Sequence, residues 1–163
     1  MERVAISNDF CLRKFVKNRD EEELFQVLGQ AKVVRHMASQ GISKSDCGVI
    51  INESLEHWKK HKVGSWAIEK NGIIAGWAGF KLWRKNEFEL LIVLGSEYWG
   101  LGKSIYTVLI ALAKDEFNFE SLVVVLPDTR KSYSYIVKKA GFEHVGSELF
   151  NGETFQKFSL NLN

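Results

Sequence analysis

Two glycines, Gly100 and Gly102, separate a strongly apolar run from a run with helical character. The apolar run, Phe88–Leu94, predicts a strand, and Ile105–Phe117 predicts a helix because its Ile, Val, Leu and Ala side chains recur at helical spacing. A strand, a glycine turn and a helix together form a common phosphate site, since N–H groups at the helix start point at the anion. The segment therefore predicts an α/β chain that binds a phosphate-bearing cofactor at residues 99–104.

One phosphate-binding pattern that fits part of this segment is the nucleotide P-loop, G-x-x-x-x-G-K-[ST]. Gly102-Lys103-Ser104 is similar to its end, but the glycine required five residues earlier is Glu97, whose carboxylate would repel a phosphate. The apolar run at 123–128 ends in an aspartate, as such a site needs, although Pro127 makes it a poor version of that pattern. A P-loop protein that binds ATP or GTP, such as a kinase, is therefore the alternative interpretation.

The segment Trp99–Ser104 matches a second pattern better. It resembles the acetyl-CoA loop of the GNAT superfamily of N-acetyltransferases, Q/R-x-x-G-x-G/A, with Trp99 in place of Gln or Arg and Ser104 in place of Gly or Ala. Glu89–Trp99 also resembles a stretch of the branch that acetylates the N-termini of ribosomal proteins. A strand at 122–126 and a helix that ends in Gly141-Phe142 follow in the family's order. Similarity to that branch extends to Leu12-Arg13, Val33–Met37 and Trp66–Ile68.

The apolar runs and the turn residues between them predict the element order β, α, α, β, β, β, α, β, α, β, β. The predicted strands are 4–16 with a break near Asn8-Asp9, 64–70, 73–83, 87–94, 122–126, 142–149 and 154–162. The predicted helices are 20–28, with Asp20 in its first turn because the helix dipole favours a negative charge there, 43–61 with Ser43 or Ser45 as its cap, 105–117 and 132–140. This is the order of the GNAT fold. The resemblance implies one domain over residues 1–163, an α/β fold with a mixed, mostly antiparallel, twisted sheet of about seven strands and helices on both faces.

Composition and charge exclude several other classes of protein. A net charge of +2 is too small to indicate a nucleic-acid partner, and no apolar run approaches the length of a membrane span. Cys11 and Cys47 have no metal-site or redox spacing, so we expect reduced thiols, no bound metal and a cytoplasmic protein. The strands near the C-terminus are candidates for pairing across a homodimer.

The resemblance implies a set of cofactor-binding residues. Free backbone groups of Ile92, Val93 and Leu94 would bond the pantetheine arm of acetyl-CoA, and Trp99 would pack beside the cofactor. The pyrophosphate would lie on the N–H groups of Gly100, Leu101, Gly102, Lys103 and Ser104, although the two glycines also suit a tight turn that binds nothing. Arg130 stands where the family has Asn; it is either a ligand of a CoA phosphate or an exposed arginine.

Two residues are the candidates for catalysis. Glu89 would take the proton of the attacking amine if its pKa lies near neutrality, and a second carboxylate nearby, Glu87, is expected to raise that pKa. Many family members protonate the CoA thiolate with a Tyr, but Val137 occupies that position here. Tyr133, one helical turn earlier, is the predicted acid, with Ser134 and Tyr135 as substitutes. Glu89 can instead be structural, and the thiolate can leave without an acid.

The acceptor amine is not identified by the sequence. The branch resemblance implies an N-terminal α-amine or a small-molecule amine, bound by the segment 33–43, with His36 and Met37, and by the final hairpin. Because the family's Tyr and Asn are both replaced, a domain that binds acyl-CoA without transferring the acyl group is a further hypothesis.

Overall fold

The computed structural model describes residues 3–30, 33 and 42–163, without the side chains of Thr129, Lys131 and Ser132. Its strands are β1 (Arg3–Ala5), β2 (Phe10–Arg13), β3 (Ser65–Lys70), β4 (Ile73–Arg84), β5 (Glu87–Leu94), β6 (Ser121–Pro127), β7 (Glu143–Phe150) and β8 (Glu153–Asn161). Its helices are α1 (Glu21–Leu28), α2 (Lys44–His61), α3 (Gly102–Asp115) and α4 (Ser134–Lys139), with 3-10 segments at Ser96–Leu101 and Asp128–Tyr133.

The eight strands form one sheet in the order β1-β2-β3-β4-β5-β6-β8-β7. The pair β5 and β6 is parallel, and the pairs β1–β2, β2–β3, β3–β4, β6–β8 and β7–β8 are antiparallel. The predicted mixed, mostly antiparallel sheet is therefore confirmed. The two predicted hairpin turns, Asn71-Gly72 and Asn151-Gly152, have positive φ at both residues, as tight turns between twisted strands require.

The N-terminal run differs from the sequence prediction. It was expected to form one strand over residues 4–16, broken near Asn8-Asp9, and it forms two strands, β1 and β2, that pair with each other. The Ile6 N–H donates to the Phe10 carbonyl over 2.9 Å, which closes the chain back on itself after Ala5. This hairpin accounts for the eighth strand.

The residues fall into two compact units, of which the first comprises Met1–Phe80 with Leu91–Ile105. Its core is formed by apolar side chains of α1, α2, β3 and β4, including Leu24, Leu28, Ile51, Ala67 and Ile74. The N-cap of helix α2 is Ser43, one of the two predicted caps, and it forms a capping box: the Ser43 hydroxyl accepts from the Asp46 N–H, and the Asp46 carboxylate accepts from the Ser43 N–H.

A buried ion cluster fixes the chain at the entrance to α1. The sequence places Asp20 in the first turn of this helix, where the helix dipole would favour its negative charge. In the structure Asp20 is the N-cap, and its carboxylate accepts from the Arg13 guanidinium over 2.8 and 3.0 Å. Arg13 also pairs with Glu69 on β3. Burial opposes the charge on Asp20, but hydrogen bonds from Arg13 and the Val16 N–H outweigh it and keep the pKa of Asp20 below its ordinary value.

The second unit comprises Lys81–Leu90 with Tyr106–Asn163. The strands β6, β8 and β7 pair along their full lengths, and the rings of Phe88 and Phe119 stack with centroids 4.3 Å apart. The helix α4 ends at Lys139, one residue before the predicted end, and Gly141, with a φ of 102°, does not continue it.

Candidate functional site

The loop that the sequence marked as the cofactor site lies between β5 and α3 in the first unit. It is not an open turn: a 3-10 segment, Ser96–Leu101, leads directly into α3 at Gly102. Its start is anchored, because the Gly95 N–H donates to the Ala75 carbonyl over 2.9 Å. The Ser96 backbone N–H also donates, over 3.1 Å, to the side-chain oxygen of Gln30, which follows α1. These bonds hold the loop on the body of the unit, and the sequence did not indicate Gln30.

The two glycines of this loop are not required by the protein itself. A Cβ added at Gly100 or Gly102 would meet no described atom within 4 Å, and Gly102 has an ordinary helical φ of −53°. Gly76 on β4 shows the contrast, because a Cβ there would lie 2.2 Å from the carbonyl oxygen of Val93. A tight turn therefore does not explain Gly100 and Gly102, and the open space beside them suits the close approach of a ligand.

The first turn of α3 combines this space with positive charge. Lys103 and Ser104 are exposed there, and the turn contains no acidic residue. One expected donor is already used, since the Gly102 N–H donates to the Trp99 carbonyl. An anion at this helix start would therefore use the remaining N–H groups of the segment, the helix dipole and the Lys103 charge.

Trp99 is 40% exposed, and a hydrogen bond to the end of β5 helps to fix its side chain. The indole Nε1–H donates to the carbonyl of Leu94 at the end of β5, over 3.0 Å. Of the three β5 residues predicted to bond a pantetheine arm, Leu94 thus has its carbonyl engaged by Trp99. A ring held in this way beside Gly100 provides an apolar surface next to the open space.

Glu89, the predicted base, lies on β5 opposite Val123 of β6, in the second unit. Burial of the side chain raises the pKa of Glu89 from 4.5 to about 7, against the opposing effect of the Lys81 charge. The expected contribution of Glu87 is wrong, because that carboxylate pairs with Lys157 Nζ at 3.1 Å and is not among the causes of the shift. Loss of hydration, and not like-charge repulsion, therefore brings the pKa of Glu89 close to neutral pH.

Arg130 and Tyr133, both in the 3-10 segment Asp128–Tyr133, lie against each other. The Arg130 guanidinium carbon is 4.1 Å from the centroid of the Tyr133 ring. Val137, in the position of the usual family Tyr, is 1% exposed and packs in the core. Tyr135, a predicted substitute for the acid, points to solvent and is 61% exposed. Ser134 is the first residue of α4.

One residue beside this pair was missed by the sequence analysis. Tyr106 on α3 has its pKa raised to about 12 by burial, with Arg130 lowering it and Tyr133 raising it further. Its ring meets that of Phe142 edge to face, with centroids 6.3 Å apart. The spacing of Tyr106 to the buried Leu109, three residues on, could have indicated that it faces inward.

A sequence profile described as Acetyltransferase (GNAT) domain matches residues 9–143, most of the chain. The protein belongs to the GNAT acetyltransferase family. It is an N-acetyltransferase whose co-substrate is acetyl-CoA, as the resemblance implied. The P-loop interpretation is thereby replaced. A comparison of the sequence with curated proteins finds no significant match.

Solved structures of GNAT proteins share this fold over nearly the whole chain. An acetyl transferase from Salmonella typhimurium, which modifies the N-terminal serine of the 50S ribosomal protein L7/L12, superposes with a TM-score of 0.83 at 13% identity, covering 99% of this chain and 100% of that one. A GNAT acetyltransferase from Bacillus anthracis gives 0.80 at 11% identity, with 98% of each chain covered. The Microcin C7 self-immunity acetyltransferase, solved with acetyl-CoA and AMP, gives 0.77 at 18% identity, covering 96% of this chain and 94% of that one.

The acceptor segment predicted for this GNAT protein is described only in part. Residues 34–41, which include His36 and Met37, lie outside the described residues. Among the residues that are described, no helix is long and apolar enough to cross a membrane. In the same part of the chain, no three His, Cys, Asp or Glu side chains are grouped as metal ligands would be.

Proposed function

We propose that the protein moves the acetyl group of acetyl-CoA directly to a primary amine while both substrates are bound. The position of the cofactor is supported by the open space beside Gly100 and Gly102, two glycines that the fold itself does not require. With Lys103 and Ser104 exposed beside it at the start of α3, this surface suits the pyrophosphate of CoA. Ile92 and Val93 would bond the pantetheine arm, and Trp99 would pack on it.

The transfer needs a neutral amine, and Glu89 is the group we assign to produce it. The amine nitrogen attacks the acetyl carbonyl, and its proton passes to the Glu89 carboxylate, directly or through a water. A pKa of about 7 leaves a substantial fraction of Glu89 ionised at neutral pH and still gives it useful basicity. The carbon–sulfur bond then breaks, and the electron pair stays on the sulfur as a thiolate, which Tyr133 would protonate.

The acceptor we favour is the α-amine of a protein N-terminus, with a small-molecule amine as the second candidate. The support for it is the likeness to the Salmonella typhimurium protein, whose substrate is an N-terminal serine.

The position of the cofactor is tested by one glycine substitution with a matched control. Gly102→Ala adds a methyl group at a helical position where it meets no described atom, so the fold should be as stable as the wild type or more so. CoA affinity, measured by isothermal titration, should fall at least about tenfold because the methyl group occupies the ligand's space. Gly48→Ala within α2, where a Cβ meets the Glu21 carboxylate at an ordinary 3.5 Å, should leave affinity unchanged. Equal affinity in Gly102→Ala and wild type would refute the assignment.

The direct route is tested by initial rates measured while both substrates are varied. Double-reciprocal lines that intersect indicate a complex of enzyme, acetyl-CoA and amine. Parallel lines would indicate an acetylated enzyme intermediate and would contradict the proposal.

A further inference from the structure

Arg130 is a partly buried cation for which the described part of the protein provides no anion. Its Nε is buried without a hydrogen-bond partner among the described residues, and it forms no ion pair there. Its contact is with the face of the Tyr133 ring, at 4.1 Å. A buried donor that lacks an acceptor costs free energy, so a site of this kind is completed when an anion binds.

The neighbouring phenol cannot supply that anion. Because burial raises the pKa of Tyr106 to about 12, this phenol is neutral at every pH at which an acetyltransferase is assayed. Of the other charged groups, Lys157 on β8 pairs with Glu87, and Lys139 on α4 lies over Tyr135. The remaining titratable groups on the elements that pack against the segment are Tyr135 and Lys138 on α4 and Glu153 on β8, while Asp128 in the segment itself accepts from Gln156.

If the proposed function holds, the anion comes from CoA, which offers either a phosphate or the sulfur. The sequence left two interpretations of Arg130, a ligand of a CoA phosphate and an exposed arginine. The structure instead lays Arg130 on Tyr133, the residue assigned to the leaving sulfur, whereas Val137 in the usual acid position is apolar and buried. A guanidinium at this place compensates for the missing phenol, since its permanent charge stabilises a thiolate without transferring a proton.

We propose that Arg130 binds the sulfur of CoA and stabilises the thiolate released when the carbon–sulfur bond breaks. The electron pair of that bond stays on the sulfur, the acetyl group stays on the acceptor nitrogen, and the amine proton leaves through Glu89. The thiolate forms with Arg130 as its counterion, and it is protonated afterwards by Tyr133 or, when that phenol is removed, by solvent. Protonation by Tyr133 is then not essential to the step.

The test is the ionisation of the CoA thiol on the protein, followed by the ultraviolet absorbance of the thiolate from about pH 6 to about pH 10. An ordinary thiol titrates near pH 8.5, and thiols beside a cation titrate at about 3.5–7.5. We expect the bound thiol in the wild type to titrate at least about one unit below the free thiol. As the pH is raised through both pKa values, CoA affinity should increase about tenfold for each unit by which the pKa of the bound thiol lies below that of the free thiol, while the affinity of desulfo-CoA stays constant.

Variants separate the sulfur from the phosphates. Arg130→Gln should return the thiol to its ordinary pKa, Arg130→Lys should retain part of the effect because it keeps the charge, and Lys138→Gln, which removes an exposed charge from α4, should change nothing. The proposal is overturned if Arg130→Gln weakens CoA and desulfo-CoA equally and dephospho-CoA less, since Arg130 would then bind a phosphate. A bound thiol with an ordinary pKa in the wild type overturns this inference alone, whereas failure of both CoA and desulfo-CoA to bind overturns the proposed function as well.

Discussion

Replacing Glu89 by Gln should make the protein more stable at neutral and alkaline pH and should leave its stability in acid almost unchanged. The native state holds the Glu89 proton up to a pKa of about 7, whereas the unfolded chain releases it near 4.5. Between these values the folded protein binds more protons than the unfolded chain, so stability falls as the pH rises through this window. The Gln side chain does not titrate, so the Glu89→Gln variant does not lose stability in this way as the pH rises.

The size of the effect follows from the two pKa values. A shift from 4.5 to about 7, at about 1.4 kcal/mol per pKa unit, corresponds to between about 3 and 4 kcal/mol. The difference in free energy of unfolding between Glu89→Gln and wild type should therefore change by about 3 kcal/mol from about pH 4 to about pH 8, in favour of the variant above about pH 7.

The measurement is urea unfolding followed by tryptophan fluorescence at a series of pH values, for wild type, Glu89→Gln and Glu87→Gln. Glu87 is the matched control, because it lies on the same strand and is paired with Lys157. Its replacement should destabilise the protein near neutral pH by less than about 1 kcal/mol, the opposite direction. A difference between Glu89→Gln and wild type that does not vary with pH would refute the perturbed pKa, and with it the argument that Glu89 is suited to act as a base.

Three further substitutions test other parts of the account. Gly76→Ala places a methyl group 2.2 Å from a β5 carbonyl oxygen, so urea unfolding should show a loss of at least about 2 kcal/mol in stability. Asp20→Asn removes a buried charge from Arg13 and should cost about 3 kcal/mol in the same assay, with little further loss when the pH is lowered. Tyr133→Phe should lower kcat less than tenfold at unchanged KM for acetyl-CoA if Arg130 stabilises the thiolate, and the exposed Tyr135→Phe should match wild type. A loss of a hundredfold or more in Tyr133→Phe would make the phenol the essential acid.

The sequence predicted most of the elements because its apolar periods and turn residues are strong local signals. The bounds predicted for β5 are those of the structure, and the Asn71-Gly72 turn forms where two apolar runs flank it. The family could also be predicted from the sequence, because Gly100 and Gly102 follow a strand and precede a helix at the family's spacing. The pairing of β1 with β2 was harder to predict from the sequence, because it depends on contacts between strands.

The electrostatic details of the site could not be predicted, because they depend on tertiary contacts. The sequence places Glu87 two residues from Glu89, but only the fold brings Lys157 to Glu87 and leaves Glu89 to be shifted by burial. In the same way, the contact between Arg130 and Tyr133 arises from a 3-10 segment in which Arg130 is not helical, with φ −110° and ψ 33°. No local pattern specifies that backbone conformation.

Transfer of the acetyl group of acetyl-CoA to an amine can be observed directly. The most direct measurement is mass spectrometry of a panel of peptides with free N-termini and of small primary amines, incubated with acetyl-CoA and the protein, with CoA release followed in parallel. We expect an acetylated amine, one CoA released per acetyl group transferred, and no transfer when ATP with Mg²⁺ replaces acetyl-CoA. Tight binding of acetyl-CoA without acetylation of any amine across a broad panel would contradict this expectation and would indicate a domain that binds acyl-CoA without turnover.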